Sequence, residues 1–170
     1  MNIRTLHASD ASDFQRLRLA ALLEAPSAFA SNYQEEKDRT IEQVQGHLVG
    51  SSETLFIGGF QECELLGVVG VGREQRLNER HMAFIRSMYV ASHARGQGFG
   101  RRLLSAALAQ ISSWHGVEQV KLSVTATNQA AVHLYQSVGF VGVGRLPRAL
   151  LLGHEYFDEL MMVRIMAGPD

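Results

Sequence analysis

Apolar positions along this chain switch between a two-residue and a three-to-four-residue period, and the switches outline alternating strands and helices. NIRTLHA sets Ile3 and Leu6 among polar residues and is predicted as a short first strand. In SDASDFQRLRLAALLEAP, Ser9 or Asp10 serves as N-cap, Phe14, Leu17 and Ala21 share a helical face, and Pro26 stops the helix. SAFASNYQEEKDRTIEQVQGHLVG puts Ile41, Val44 and Leu48 on one face and is predicted as a second helical region. TLFIGGFQ, ECE and LLGVVGVGR read as strand, tight connection and strand. Their glycines, Gly58, Gly59, Gly67, Gly70 and Gly72, point to bulges or to another backbone passing close by. Beyond the polar EQRLNER, HMAFIRSMYV is a longer apolar strand.

Phe99, Leu103, Ala107 and Ile111 then recur at intervals of four, widened by Leu104 and Leu108, which predicts an amphipathic helix. VKLSVTAT is a strand with Leu122 and Val124 on one face. NQAAVHLYQSVGF is a short helix with Gly139 at the C′ position, and VGVGR and EYFDELMMVRIM are two closing strands. The order is strand, two helices, three strands, helix, strand, helix, two strands. No repeat or linker interrupts it, so residues 1–170 are expected to form a single domain.

Composition narrows the functional classes. A formal net charge of -1 gives no general attraction to nucleic acid or to a membrane surface. No apolar run approaches the ~18 residues of a membrane span, and the N-terminus lacks a signal peptide's apolar segment. One cysteine, Cys63, forbids an internal disulfide and suits a reducing compartment, so a cytoplasmic protein is expected. The seven histidines are scattered, without the close pairing of a zinc motif, and no metal is expected.

The local chemistry concentrates at VASHARGQGFGRRLLSAALAQ, where a strand gives way to a helix across Gly96, Gly98 and Gly100, beside Arg95, Arg101 and Arg102. A helix start presents N–H groups without intrahelical partners, and a glycine-bearing turn forms a concave nest of amides. The competing explanation is a turn needing positive φ followed by close helix packing. GQGFG fails the dinucleotide spacing G-x-G-x-x-G, and the phosphate-loop Lys and hydroxyl are both missing.

The pattern R-G-Q-G-F-G resembles the acyl-CoA loop of the GNAT superfamily of N-acyltransferases. MYVASHARGQGFGRRLL is similar to that family's strand-loop-helix core, NQAAVHLYQSVGF to its next helix, and EYFDELMMVRI to its last strand. FQRLRLAALLEAPSAFASNYQEE resembles one branch of small acetyltransferases. Ser92 stands where many members carry proline. The resemblance implies an α/β (α+β) fold with a mixed central sheet of about six to seven strands, splayed in the middle and flanked by about four helices. It implies that the two central strands part after Val90 and Val124. The backbone of Met88, Tyr89 and Val90 would bond the pantetheine arm of acetyl-CoA. The amides from Gln97 through Arg101, with Gly96, Gly98, Gly100 and Arg95, would take the diphosphate, and Asn128 would bond the pantetheine. Asn128 is also a natural N-cap for the helix at Gln129.

Amide formation from a thioester needs a neutral amine, a polarised carbonyl and a proton for the departing thiolate. The resemblance makes Tyr135 the acid, although Ala131, Tyr135 and Val138 also lie at the spacing of a core stripe. Glu35, Glu36 and Glu74 are carboxylates in segments expected near the acceptor, and His81, His93 and His133 have suitable intrinsic pKa values. Phe29, Tyr33 and Tyr156 are the candidates to line the amine slot, flanked by PSAFASNY and RLPRALLLGHEYF. The expected function is acetyl transfer from acetyl-CoA to a small-molecule or peptide amine. A dimer through the last strands is the expected assembly, and a non-catalytic acyl-CoA-binding or regulatory module is the alternative on the same fold.

Overall fold

The computed structural model describes residues 1–166, so the last four residues of the expected domain lie outside the described residues. β1 (Asn2–Thr5) leads into α1 (Ala11–Glu24), a 3-10 turn at Pro26–Ala28, α2 (Tyr33–Glu36) and α3 (Ile41–Val49). A meander of β2 (Thr54–Gln61), β3 (Glu64–Arg73) and β4 (Met82–Val90) follows. The chain continues through α4 (Phe99–Ser112), β5 (Gln119–Thr125), α5 (Gln129–Gln136), β6 (Val141–Leu152) and β7 (Glu155–Ile165). The seven strands form one sheet in the order β1-β2-β3-β4-β5-β7-β6. Every neighbouring pair is antiparallel except β4 and β5, and α4 supplies the crossover that a parallel pair requires.

The strand that matters most for the site is β4, because it leaves its partner early. It pairs with β5 only where residues 82–84 meet residues 119–121. The parting therefore starts after Phe84 and Lys121, well before the expected Val90 and Val124. The cause is a bulge on β4. Arg86 faces Gly70 and Tyr89 faces Val68, so Ser87 and Met88 together oppose Val69. Ser87 sits at φ +53, a conformation that costs a non-glycine residue energy and that turns the strand. Beyond the bulge, β4 is paired on its β3 side alone, while β5 runs on beside β7.

Helices cover both faces of the sheet. Phe14 of α1 meets Phe56 of β2 edge-on at 5.0 Å on one face. On the other, Phe99 and Leu103 of α4 press into Gly59 and Gly67: a Cβ built at either glycine would lie 2.6 Å from the helix side chain. Gly59 and Gly67 thus make room for α4 side chains, backbone carbonyls also pass within 3.2 Å of a Cβ built at Gly67 and 3.3 Å of one at Gly70, and bulges sit beside Gly59 and Gly70 as their number suggested.

Two other expectations need correction. The second helical region is broken into the 3-10 turn, α2 and α3. Two capping boxes are responsible, Asn32 with Glu35 and Thr40 with Gln43, each of which starts a new helix. Gly139 closes α5 as its C′ position suggests: at φ +91 its N donates to Gln136 O at 3.0 Å, and Phe140 N donates to Tyr135 O at 3.1 Å. VGVGR is only the start of a twelve-residue β6. The connection RLPRALLLGHEYF is therefore mostly hairpin, turning at Gly153, and β6 packs against the Pro26–Ala28 turn.

Gly59→Val is expected to lower stability by about 1–3 kcal/mol through overpacking against Phe99. Urea unfolding should show a lower midpoint with an unchanged slope. An unchanged midpoint would mean that α4 does not press on the sheet at this position.

Candidate active site

Where β4 and β5 part, a cleft of about 670 Å³ opens. One wall is the glycine turn, the start of α4 and the start of α5; the other is the end of α1 with the Pro26–Ala28 turn. Met88, Tyr89 and Val90 form its floor, and Thr125 and Thr127 close the β5 side. Thr125 Oγ1 donates to Ser27 O at 2.5 Å, tying the end of β5 to the turn.

The glycine turn owes its shape to two left-handed residues, Gly96 at φ +76 and Gly98 at φ +77, the latter being the N-cap of α4. A side chain at either position would be strained, and space is open around both. Arg95 N donates to Ser92 O at 3.2 Å and Arg102 N to Gly98 O at 3.1 Å. Between them, the six amides of residues 96–101 find no backbone acceptor among the described residues. Gly100 serves another purpose: a Cβ there would come within 3.2 Å of Leu134, so its absence lets α4 close on α5.

Of the residues expected in the site, Phe29, Met88, Tyr89, Val90, Arg95, Gly96, Gly98, Gly100, Arg101, Asn128 and Tyr135 all line this cleft. Gln97 contributes its amide to the bare series, but its side chain turns away and donates to His93 O at 3.1 Å. Tyr33, the first residue of α2, and Tyr156, stacked under Arg148 at 4.9 Å on the hairpin, do not line it. Tyr156 pairs with Leu151 near the hairpin turn, three residues along β7 from Glu159, the partner of Thr125.

The side chains have distinct tasks. Tyr135 is buried in α5, edge-on to Phe140, with its hydroxyl 3.7 Å from Met88 Sδ. Burial pushes its phenol up to about 12, so it remains protonated at neutral pH. Asn128 Oδ1 caps α5 by accepting from Ala131 N at 3.2 Å, and the residue still faces the cleft. Arg95 is already engaged: Nε donates to Val90 O at 2.9 Å and Nη2 pairs with Glu24 Oε1 at 2.6 Å. Its guanidinium is therefore committed to Val90 and Glu24, while the residue still lines the cleft beside the glycine turn. Arg101 makes no side-chain hydrogen bond or ion pair with another described residue.

Sequence reasoning missed Glu24. Its Oε2 accepts from the Tyr89 hydroxyl at 2.7 Å, and it lines the cleft from the last turn of α1. The Tyr89 hydrogen bond, followed by the charge of Arg95, holds its carboxyl below the ordinary value against the opposing effect of burial. Burial first, and the bond to Glu24 second, push Tyr89 up to about 12. The available signal was its place two residues before the helix-stopping Pro26. The carboxylates considered instead have structural partners. Glu35 closes the α2 capping box, Glu36 is buried against Arg18 and Arg39, and Glu74 pairs with Lys121 at 2.7 Å.

A seven-stranded mixed sheet, its one parallel pair forking over a glycine-started helix, defines the class of N-acyltransferases built on the GNAT fold. The chain belongs to the acetyltransferase (GNAT) family, whose family model matches residues 17–140, and it is an acyltransferase. Spermidine N(1)-acetyltransferase of Vibrio cholerae is 27% identical over 128 residues, covering 75% of this chain and 72% of the relative. A GNAT-family acetyltransferase of Streptococcus pneumoniae superposes with a TM-score of 0.87 at 23% identity, covering 98% of this chain and 99% of the other. A phosphinothricin acetyltransferase of Sinorhizobium meliloti, solved in complex with AcCoA, superposes at 0.82 with 16% identity, covering 97% and 88%.

The protonation state of Tyr135 can be read directly. The difference in alkaline absorbance titration between wild type and Tyr135→Phe should show one phenol ionising near pH 12. A transition near pH 10 would mean that the hydroxyl is in contact with water.

Proposed function

We propose that the protein transfers the acetyl group of acetyl-CoA to a primary amine of a small molecule or peptide, with both substrates bound together. The observation that carries this reading is the run of bare amides at residues 96–101. A diphosphate offers acceptors to several such groups at once, and the positive end of α4 favours its charge. The cleft also suits the rest of the molecule: β4 beyond its bulge has an unpaired edge for the amides of a pantetheine arm, Asn128 faces it, and Arg101 adds charge at the mouth. The acetyl-CoA complex of the Sinorhizobium enzyme and the amine named for the Vibrio enzyme support the choice of donor and acceptor class.

When bound, acetyl-CoA supplies an acetyl group activated as a thioester. Met88, Tyr89 and Val90 then orient it by backbone bonds, and N–H groups at the open end of β4 receive the carbonyl oxygen in the manner of an oxyanion hole. Tyr135 holds its proton at Oη and delivers it to the departing sulfur, the proton lost from the amine leaving through solvent. The depth of Tyr135 keeps water from that sulfur. Phe29 lines the acceptor side, next to Tyr89 at 6.5 Å between ring centroids. Among the described residues lining the cleft, Glu24 is the one carboxylate, and Arg95 already matches its charge. That balance suits an acceptor with one amine better than a polycation. The exposed Cys63 is in keeping with a reducing, cytoplasmic setting. The exposed apolar residues of β6 and β7, among them Val141, Met161 and Ile165, are where a second copy of the chain would dock. A monomer by light scattering would remove that part of the reading.

Tyr135→Phe is expected to lower kcat by about 100-fold or more while leaving acetyl-CoA affinity nearly unchanged. Turnover is followed by release of free thiol over a panel of amines. Equal losses in turnover and affinity would reduce Tyr135 to a packing residue.

A further inference from the structure

We propose that Glu24 is a positioning residue of the donor site, acting through Arg95 to tie the glycine turn to the α1 wall. The inference rests on reading the cleft as the acetyl-CoA site. Four residues close a ring of contacts. Arg95 Nε donates to Val90 O at 2.9 Å, and Nη2 pairs with Glu24 Oε1 at 2.6 Å. Glu24 Oε2 accepts from the Tyr89 hydroxyl at 2.7 Å, and the Arg95 guanidinium lies 5.4 Å over the Tyr89 ring. Three elements thereby meet at one guanidinium: the last turn of α1, the last residues of β4 and the first residue of the glycine motif. A planar guanidinium engaged at Nε and Nη2 has its plane fixed. Arg95 immediately precedes the six bare amides, so its placement sets where that series begins.

The charges point the same way. Glu24 is ionised and cancels the charge of Arg95, which leaves the amides and Arg101 to meet the diphosphate. Glu24 also stands two residues before the Pro26–Ala28 turn, whose Ser27 carbonyl is held by Thr125. Loosening the Glu24–Arg95 pair therefore detaches the glycine turn from the α1 wall, which Thr125 still holds.

Two roles for Arg95 predict opposite signs for one substitution. As a tie, it needs Glu24, and Glu24→Gln weakens coenzyme A binding. As a phosphate ligand, it is restrained by Glu24, and the same substitution strengthens binding.

The test is calorimetric titration of coenzyme A into wild type, E24Q, R95M, the double variant and R101M at several salt concentrations, with thermal midpoints recorded for each. E24Q and R95M are each expected to weaken binding about tenfold, as for loss of one charge-assisted pair. The double variant should be no weaker than either single one. The salt dependence should stay that of wild type in both and flatten in R101M. E24Q without effect, E24Q that tightens binding, or losses that add in the double variant would each overturn the proposal. Should R95M fail to fold, R95Q takes its place in the cycle. Wild type that does not bind coenzyme A would instead sink the reading of the cleft, so the two failures are distinguishable.

Discussion

The structure turns on where backbone hydrogen bonds are left unmade. Peptide groups away from water need partners, and a sheet ordinarily supplies them across its full width. This sheet stops doing so at one seam, because the bulge at Ser87 swings β4 away from β5 after residues 82–84. Among the described residues, the same region leaves six consecutive amides of the glycine turn without acceptors. Both sets of groups face one cleft, where the proposed acetyl-CoA, with amides along its arm and phosphates at its other end, would meet them in turn.

The remaining parts of the molecule hold that seam open. On the α4 side, Gly59 and Gly67 let Phe99 and Leu103 sink into the sheet, which fixes the helix whose start carries the bare amides. On the α1 side, the buried pair of Arg18 and Glu36 anchors α2 beneath α1. Thr125 secures the intervening turn. The two buried tyrosines differ although burial raises both to about 12. The Tyr89 hydroxyl is spent on Glu24, whereas among the described residues that of Tyr135 meets only a thioether sulfur. Of the two, only Tyr135 keeps an uncommitted proton, which is what an acid for a leaving thiolate needs.

Much of this was legible in the residues because the relevant physics is local. The glycine turn announces itself through Gly96 and Gly98, positions where a side chain would be strained, and α4 through its four-residue apolar spacing. The capping boxes at Asn32 and Thr40 were equally local signals, and reading through them merged three short elements into one helix. What stayed hidden depends on contacts between distant parts of the chain. Glu24 meets Tyr89 across 65 residues, a partner that its place before the helix-stopping Pro26 does not announce. Nor does Ser87 signal its positive φ, since the strain is imposed by the strands around it. Tyr156, set at the amine slot because of its segment, stacks under Arg148 on the hairpin and does not line the cleft.

The most direct measurement follows the backbone amide resonances by ¹⁵N NMR while coenzyme A is titrated into the protein. The expected result is that amides of residues 96–101 shift far more than those elsewhere in α4, with a second group of shifts at Met88, Tyr89 and Val90. Saturable binding that leaves the amides of residues 96–101 unmoved would contradict the claim that the bare helix start grips the diphosphate.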